Sequence, residues 1–229
     1  MKYTVDDLEY KGLKILQPQN GYRSSEDSLI LLNQIVDSLG SDYEGKGFEI
    51  GTGAGIIAIL LAAKLQNIHI TASEIQDSLA DLALQNVKIN KLDSRITVKK
   101  MDARKVSRTF LPDTFDFAFA NPPFYSRYGG RLSPIIEKQN AKHEICCTID
   151  DVLSIFTFVL KPAGRAFLIY PMIRWREFQQ KILASAKFTL IKTHFFKNVN
   201  VKLSENEAQI ELNKTKFVAE LISHSKYFT

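Results

Sequence analysis

A glycine-rich turn in the first quarter of the chain is the first segment whose residue types indicate chemistry. Glu49-Ile50-Gly51-Thr52-Gly53-Ala54-Gly55 links a short apolar run to a longer one. Glycines there let the backbone turn sharply and approach a ligand closely. The pattern is not the dinucleotide G-x-G-x-x-G, because Ile56 stands where its third glycine would be, and no P-loop lysine follows. An acid two residues before the first glycine favours a cationic amine, such as the methionine end of S-adenosylmethionine, over a pyrophosphate. The alternative is a tight strand-helix turn that binds nothing.

Two more acids follow at the ends of the next two predicted strands. Glu74 can accept both ribose hydroxyls of an adenosyl group, and Asp102 can accept a hydrogen bond from an adenine amino group. Either acid alone could be a solvated surface carboxylate. Together they lie at the carboxyl ends of successive strands, which is the edge where open α/β sheets bind ligands.

A third motif, Asn121-Pro122-Pro123-Phe124, follows an apolar strand and indicates the reaction itself. The two prolines fix the backbone, so the asparagine side chain is held in one place. A planar amino nitrogen is a poor nucleophile because its lone pair is delocalised. The Asn121 side-chain oxygen and the Pro122 carbonyl can hold its two hydrogens and aim the lone pair at a sulfonium methyl, while Phe124 offers a stacking face. The alternative is a Pro-Pro turn at a strand end.

Strands and helices alternate around these motifs, which predicts an α/β fold with a mostly parallel sheet and helices on both faces. Strands are predicted over 47–50, 68–73, 95–99, 115–120, 165–170, 188–196 and 207–212, and helices over 25–39, 56–65, 76–90, 149–160 and 175–186. The helix over 25–39 has apolar residues at helical spacing, namely Leu29, Leu32, Ile35, Val36 and Leu39. The last two strands follow without a helix between them, which predicts one antiparallel edge strand. A short hairpin fits residues 8–16.

Composition limits the remaining possibilities. A chain of 229 residues suits one large domain, and the net charge of +5 favours a polyanionic partner without proving one. The cysteines Cys146 and Cys147 are adjacent and fit reduced thiols, and no spaced cysteine or histidine set indicates a metal. The longest apolar run, 56–63, is too short to span a bilayer, so we expect a cytoplasmic protein with no membrane partner. The sequence leaves the oligomeric state open.

In their order along the chain, these motifs resemble the class I, seven-stranded methyltransferases. The resemblance covers roughly residues 19–213 and implies a Rossmann-like methyltransferase sheet with S-adenosyl-L-methionine as cofactor. It implies a single domain over 1–229, in which residues 1–45 form an N-terminal segment and helix covering the cofactor site and 46–229 form the core. The Asn-Pro-Pro-aromatic motif belongs to members that methylate amino groups of adenine, guanine or glutamine.

A closer resemblance is to the bacterial tRNA1(Val) adenine N6-methyltransferases. It is carried by the segment over 17–28, by Lys142-His143-Glu144 before the helix start at Ile149, and by the segment over 160–165. Two departures stand beside it: Ser24 replaces a usual Phe, and the match after Leu212 is weak. The resemblance implies that Arg23 and Asp27 lie near the cofactor, and that the target is the adenine next to the anticodon of a valine tRNA.

The predicted site therefore has three groups of residues. The catalytic group is Asn121, Pro122, Pro123 and Phe124. The cofactor-binding group is Arg23, Asp27, Glu49, Gly51, Thr52, Gly53, Gly55, Glu74, Ile75, Asp102, Ala103 and Asn121. Residues proposed to contact a tRNA substrate are Tyr125, Arg127, Arg131 and Lys142, which could also belong to a solvated charged loop.

Three other functions stay open from the sequence. Protein glutamine N5-methylation uses a similar planar nitrogen, but those enzymes usually have a substantial N-terminal helical domain, and here only residues 1–46 precede the first predicted strand. Guanine N2-methylation of ribosomal RNA is the second. The third is an idle RNA-binding module on a methyltransferase fold, against which the intact acids and Asn121 argue.

Overall fold

The described chain begins with a small antiparallel hairpin. The computed structural model describes residues 3–19, 26–122, 147–197 and 215–224. Strands β1 (Tyr3–Asp7) and β2 (Lys14–Pro18) form a separate two-stranded sheet. The predicted hairpin segment, 8–16, covers the turn and most of the second strand, so the hairpin begins earlier than its pattern indicated.

Seven strands form the central sheet. They are β3 (Glu44–Ile50), β4 (Asn67–Glu74), β5 (Ile96–Lys100), β6 (Phe115–Ala120), β7 (Leu160–Pro171), β8 (Phe188–Lys197) and β9 (Thr215–Ser223), in the order β5-β4-β3-β6-β7-β9-β8. The strands from β3 to β5 run outwards on one side, and the chain then returns to place β6 on the other side of β3. The strand order therefore reverses between β3 and β6, which is where open α/β sheets bind ligands.

The sheet is mostly parallel, with antiparallel pairing at one edge as predicted. β9 is antiparallel to both β7 and β8 and lies between them, so the outermost strand is β8. The predicted strand over 207–212 lies outside the described residues, and β9 begins at Thr215 instead. No strand was predicted over the residues of β9. Phe217 to Leu221 are all buried, so the segment lacks the alternation that marks a half-exposed strand.

Helices cover both faces of the sheet, as the sequence predicted. They are α1 (Glu26–Leu39), α2 (Ile56–Lys64), α3 (Asp77–Ile89), α4 (Ile149–Val159) and α5 (Trp175–Ser185), each within one residue of its predicted bounds. The first three pack with Phe117 and Phe119 of β6, and the last two pack with Phe48 of β3. Because neighbouring residues of a strand face opposite sides, each central strand contributes to both cores.

The face of α1 that is buried differs from the face that its apolar pattern predicted. Leu29 is 46% exposed, whereas Leu31, Leu32 and Ile35 are buried together with Ser28. The apolar stripe that faces the sheet is thus extended at its N-terminal end by a serine. Burial of that serine places a hydroxyl at the carboxyl edge of the sheet.

Candidate functional site

The glycine-rich turn and Asn121 lie side by side at the point where the strand order reverses. Ile50, the last residue of β3, is opposite Ala120, the last residue of β6, in a parallel ladder. The glycine-rich turn begins one residue after Ile50, and Asn121 follows Ala120 directly. Parallel neighbours end at the same edge, so the turn and the asparagine open onto the same space.

The glycines of the turn have the conformations that their residue type allows. Gly51, Gly53 and Gly55 all have positive φ, at 70°, 59° and 92°. A Cβ atom at Gly51 or Gly53 would meet no atom within 4 Å, so these two residues face open space. A Cβ at Gly55 would lie 3.5 Å from the Cβ of Ala83 in α3. The first two glycines therefore leave room for a ligand, whereas at Gly55 the positive φ, and not a close contact, is what favours glycine.

Glu49 is a buried acid at the end of β3. Its side chain is 2% exposed, and its Oε2 accepts a hydrogen bond of 2.5 Å from the hydroxyl of Thr52. Burial raises the pKa of the Glu49 carboxyl to about 8, the Thr52 hydrogen bond opposes that rise, and the charge of nearby Glu74 adds to it. A buried carboxyl of this kind gains most from a cation placed beside it.

Glu74 at the end of β4 is tied to the same turn. Its Oε2 accepts from the backbone N–H of Gly53, and its Oε1 accepts from the N–H of Gln76, both at 2.9 Å. Burial raises the pKa of Glu74, while these backbone hydrogen bonds lower it. Each carboxylate oxygen has a further lone pair, so the two ribose hydroxyls of an adenosyl group could be accepted without breaking either bond.

Asp102 follows β5 and is held by a partner that the sequence analysis missed. The guanidinium of Arg104 forms a two-pronged ion pair with it, with Nε to Oδ1 at 2.9 Å and Nη2 to Oδ2 at 2.7 Å. The backbone N–H of Arg104 also donates to Oδ1. The hydrogen bond from the Arg104 side chain is the main reason that the pKa of Asp102 is lowered. An adenine amino group would share this carboxylate with Arg104.

Asn121 is partly buried and contacts α1. Its Nδ2 donates to the hydroxyl oxygen of Ser28 at 3.3 Å. Among the described residues no donor is bonded to its Oδ1. Pro122, the next residue, is buried. Pro123 and Phe124 lie outside the described residues.

The other predicted site residues fall into two groups. Ile75 is 41% exposed beside Glu74, Ala103 opens a short 3-10 helix after Asp102, and Asp27 is buried in an ion pair with Lys216 of β9. The remainder, Arg23, Tyr125, Arg127, Arg131 and Lys142, lie outside the described residues. The cofactor and substrate roles of all these residues stay predictions.

Several residues of this site had no sequence motif to mark them. Ser28 could have been found from its place in the buried stripe of α1, but Arg104 and Lys216 carried no such signal. Asn86 of α3 is fully buried and also went unmarked. It bonds the backbone N–H and carbonyl of Leu16 in β2 and the carbonyl of Ala54 in the glycine-rich turn, at 2.7 to 2.9 Å. The hairpin is thereby fixed against the turn.

Comparison with known proteins identifies the class to which this fold and site belong. A family model described as the methyltransferase small domain matches residues 26–141, just over half of the chain. The chain belongs to this family, and it is a class I, S-adenosylmethionine-dependent methyltransferase. The predicted fold class and cofactor are thus confirmed.

Sequence identity to individual relatives is low. The chain is 25% identical to a tRNA1(Val) (adenine(37)-N6)-methyltransferase of Porphyromonas gingivalis, over 96% of this chain and 88% of that one. It is 24% identical to a release factor glutamine methyltransferase of Fusobacterium nucleatum, over 56% of this chain and 35% of that one. Among solved structures, M. jannaschii TYW2 in complex with AdoMet matches with a TM-score of 0.61 at 15% identity, covering 96% of this chain and 85% of that one. This likeness shows a shared fold.

Within the described residues, no helix is both long and apolar enough to cross a membrane.

Proposed function

We propose that the protein transfers the methyl group of S-adenosylmethionine to N6 of an adenine in tRNA, the adenine next to the anticodon of tRNA1(Val). The observation that carries the transfer chemistry is the position of Asn121 beside the glycine-rich turn at the strand-order reversal. The choice of acceptor is supported by the tRNA1(Val) methyltransferase relative, which matches nearly the whole chain.

The cofactor half of the proposed site would hold S-adenosylmethionine by its methionine and ribose moieties. Glu49 would face the ammonium of the methionine moiety, and Glu74 would accept the ribose hydroxyls. The open space at Gly51 and Gly53 would let the cofactor approach the backbone. The cofactor then supplies an electrophilic methyl group at the edge of β3 and β6.

The reaction half would act by orientation. With Nδ2 of Asn121 engaged by Ser28, Oδ1 is the end of the side chain available to accept from an adenine amino group. The Pro122 carbonyl would accept the second hydrogen, so the nitrogen lone pair would point at the methyl group. Fixing this geometry can contribute several kcal/mol to the rate.

The test is methyl transfer to tRNA from a strain that lacks the gene. Purified protein and labelled S-adenosylmethionine should yield N6-methyladenosine, detected by mass spectrometry of digested nucleosides. Asn121→Ala should lower turnover about 10²-fold or more, because a fixed polar contact to the transition state is lost. Near-normal turnover of that variant would show that the role assigned to Asn121 is wrong.

Glutamine N5-methylation is the second candidate, because a release factor glutamine methyltransferase also matches part of the chain. The same labelling reaction, repeated with ribosomal RNA or with a protein extract of that strain, distinguishes the acceptors. Label in N2-methylguanosine would indicate a guanine target, and label in protein would indicate glutamine. Either result, without N6-methyladenosine from tRNA, would exclude the adenine proposal. An idle RNA-binding module would bind RNA but neither bind S-adenosylhomocysteine nor transfer label.

A further inference from the structure

Ser28 stands at the end of the buried stripe of α1, next to the reaction motif. It lies three, four and seven residues before Leu31, Leu32 and Ile35, so all four side chains face the sheet. Ser28 is only 5% exposed. A buried hydroxyl needs a polar partner, and here that partner is the side chain of Asn121.

This hydrogen bond holds one end of the Asn121 carboxamide, so that the other end faces a substrate. Nδ2 donates to the Ser28 oxygen, which leaves Oδ1 for an incoming amino group. A serine hydroxyl can donate as well as accept, so the contact fixes the place of the side chain. The amino group of the substrate, which can only donate here, selects the oxygen end.

We propose that Ser28 is a positioning residue for methyl transfer, which holds one end of the Asn121 carboxamide so that the other end faces the acceptor nitrogen. This inference rests on the proposed function of Asn121 and extends it to a residue of α1. Ser28 itself touches neither the acceptor nor the cofactor in this scheme.

The position of Ser28 is fixed by contacts at both ends of α1. Its neighbour Asp27 forms a buried ion pair with Lys216 of β9. At the other end, the Ser38 hydroxyl donates to Glu220 of β9 at 2.7 Å, and Arg165 of β7 donates to the Ser38 carbonyl at 2.8 Å. The helix is therefore held on the sheet from first turn to last, and the Ser28 oxygen is held with it.

Variants of Ser28 test the proposal by turnover. Ser28→Ala should lower kcat about three- to tenfold, as expected for one lost hydrogen bond, and leave the affinity for S-adenosylhomocysteine within about twofold. Ser28→Thr keeps the hydroxyl and should restore kcat to within about twofold of the native value. Ser38→Ala loosens the other end of the same helix without touching Asn121, so it should lower the melting temperature and leave kcat unchanged.

Removal of the side chain that Ser28 holds gives the sharpest test. In Asn121→Ala no carboxamide is left for Ser28 to position. When Ser28→Ala is combined with Asn121→Ala, it should therefore change kcat less than about twofold relative to Asn121→Ala alone. An equal loss in both backgrounds, a similar loss in Ser38→Ala, or no rescue by threonine would overturn the positioning role.

An observation independent of any acceptor completes the test. The side-chain NH₂ resonances of Asn121 are identified by their absence in Asn121→Asp. They should shift in Ser28→Ala and stay in place in Ser38→Ala, and unshifted resonances in Ser28→Ala would contradict the contact. Failure of the proposed function gives a different result, because Asn121→Ala would then keep normal turnover or tRNA would accept no methyl group.

Discussion

The buried carboxyl of Glu49 predicts that cofactor binding depends on pH. In the free protein its pKa is raised to about 8 by burial, so most of this carboxyl is protonated at neutral pH. The proposed site places the ammonium group of S-adenosylhomocysteine beside Glu49, where it would favour the ionised form of the carboxyl. Binding should therefore release a proton, and affinity should rise as the pH approaches 8.

The size of the effect follows from the ionised fraction. With a pKa of about 8, roughly a tenth of the Glu49 carboxyls are ionised at pH 7 and about one in three hundred at pH 5.5. If only the ionised form binds well, the apparent affinity increases about 30-fold between these two pH values. The increase should level off as the pH passes about 8.

Calorimetry with S-adenosylhomocysteine measures both the pH dependence of the affinity and the number of protons released on binding. Titrations between pH 5.5 and 7, in two buffers of different ionisation enthalpy, should show the increase in affinity and close to one proton released on binding throughout this range. Glu49→Gln should bind S-adenosylhomocysteine more weakly at pH 7, and its affinity should no longer rise with pH. Glu44→Gln, which changes an exposed acid at the start of the same strand, should keep the slope.

Two results would refute this reasoning. Constant affinity across the range would show that the bound ligand does not need an ionised Glu49. A slope that persists in Glu49→Gln but disappears in Glu74→Gln would assign the proton to Glu74, whose pKa burial also raises.

The contacts of Asn86 and the conformation of Gly53 give two more predictions. Asn86→Leu should lower the free energy of unfolding by about 3 kcal/mol in urea titrations, because buried backbone groups of the hairpin and turn lose their partner; a loss below about 1 kcal/mol would mean that these groups find other partners. Gly53→Ala should cost about 1 kcal/mol of stability through its positive φ, and it should also weaken S-adenosylhomocysteine binding because its methyl group enters the open space beside the turn. Unchanged affinity for that ligand would place the cofactor elsewhere.

Much of the parallel half of the sheet could be predicted from local patterns. β6 was predicted with its observed bounds because an apolar run ends abruptly at Asn121 and two prolines. The glycine-rich turn was likewise recognisable, because glycine adopts its positive φ values without steric cost. Acids that follow successive strands were expected at one edge, and Glu74 indeed bonds the turn after β3.

The remainder depends on contacts between distant parts of the chain. Asp27 and Lys216 are 189 residues apart in sequence, and nothing local to either residue indicates the other. The same holds for the place of β9 between β7 and β8, which depends on which neighbours bury both of its faces. The buried face of α1 also depends on such contacts. Leu29 fits an apolar helical stripe as well as Leu31 does, and only packing against the sheet decides which of the two is buried.

These long-range contacts divide the site into two halves that separate experiments can address. Asn86 holds the hairpin against the glycine-rich turn, so it supports the half that would bind the cofactor. Ser28, on a helix anchored to β9, contacts Asn121 and supports the half that would orient the acceptor. Changes in the first half should therefore alter the affinity for S-adenosylhomocysteine, and changes in the second should alter kcat at unchanged affinity. A site in which both halves acted as one unit would show both effects for every variant.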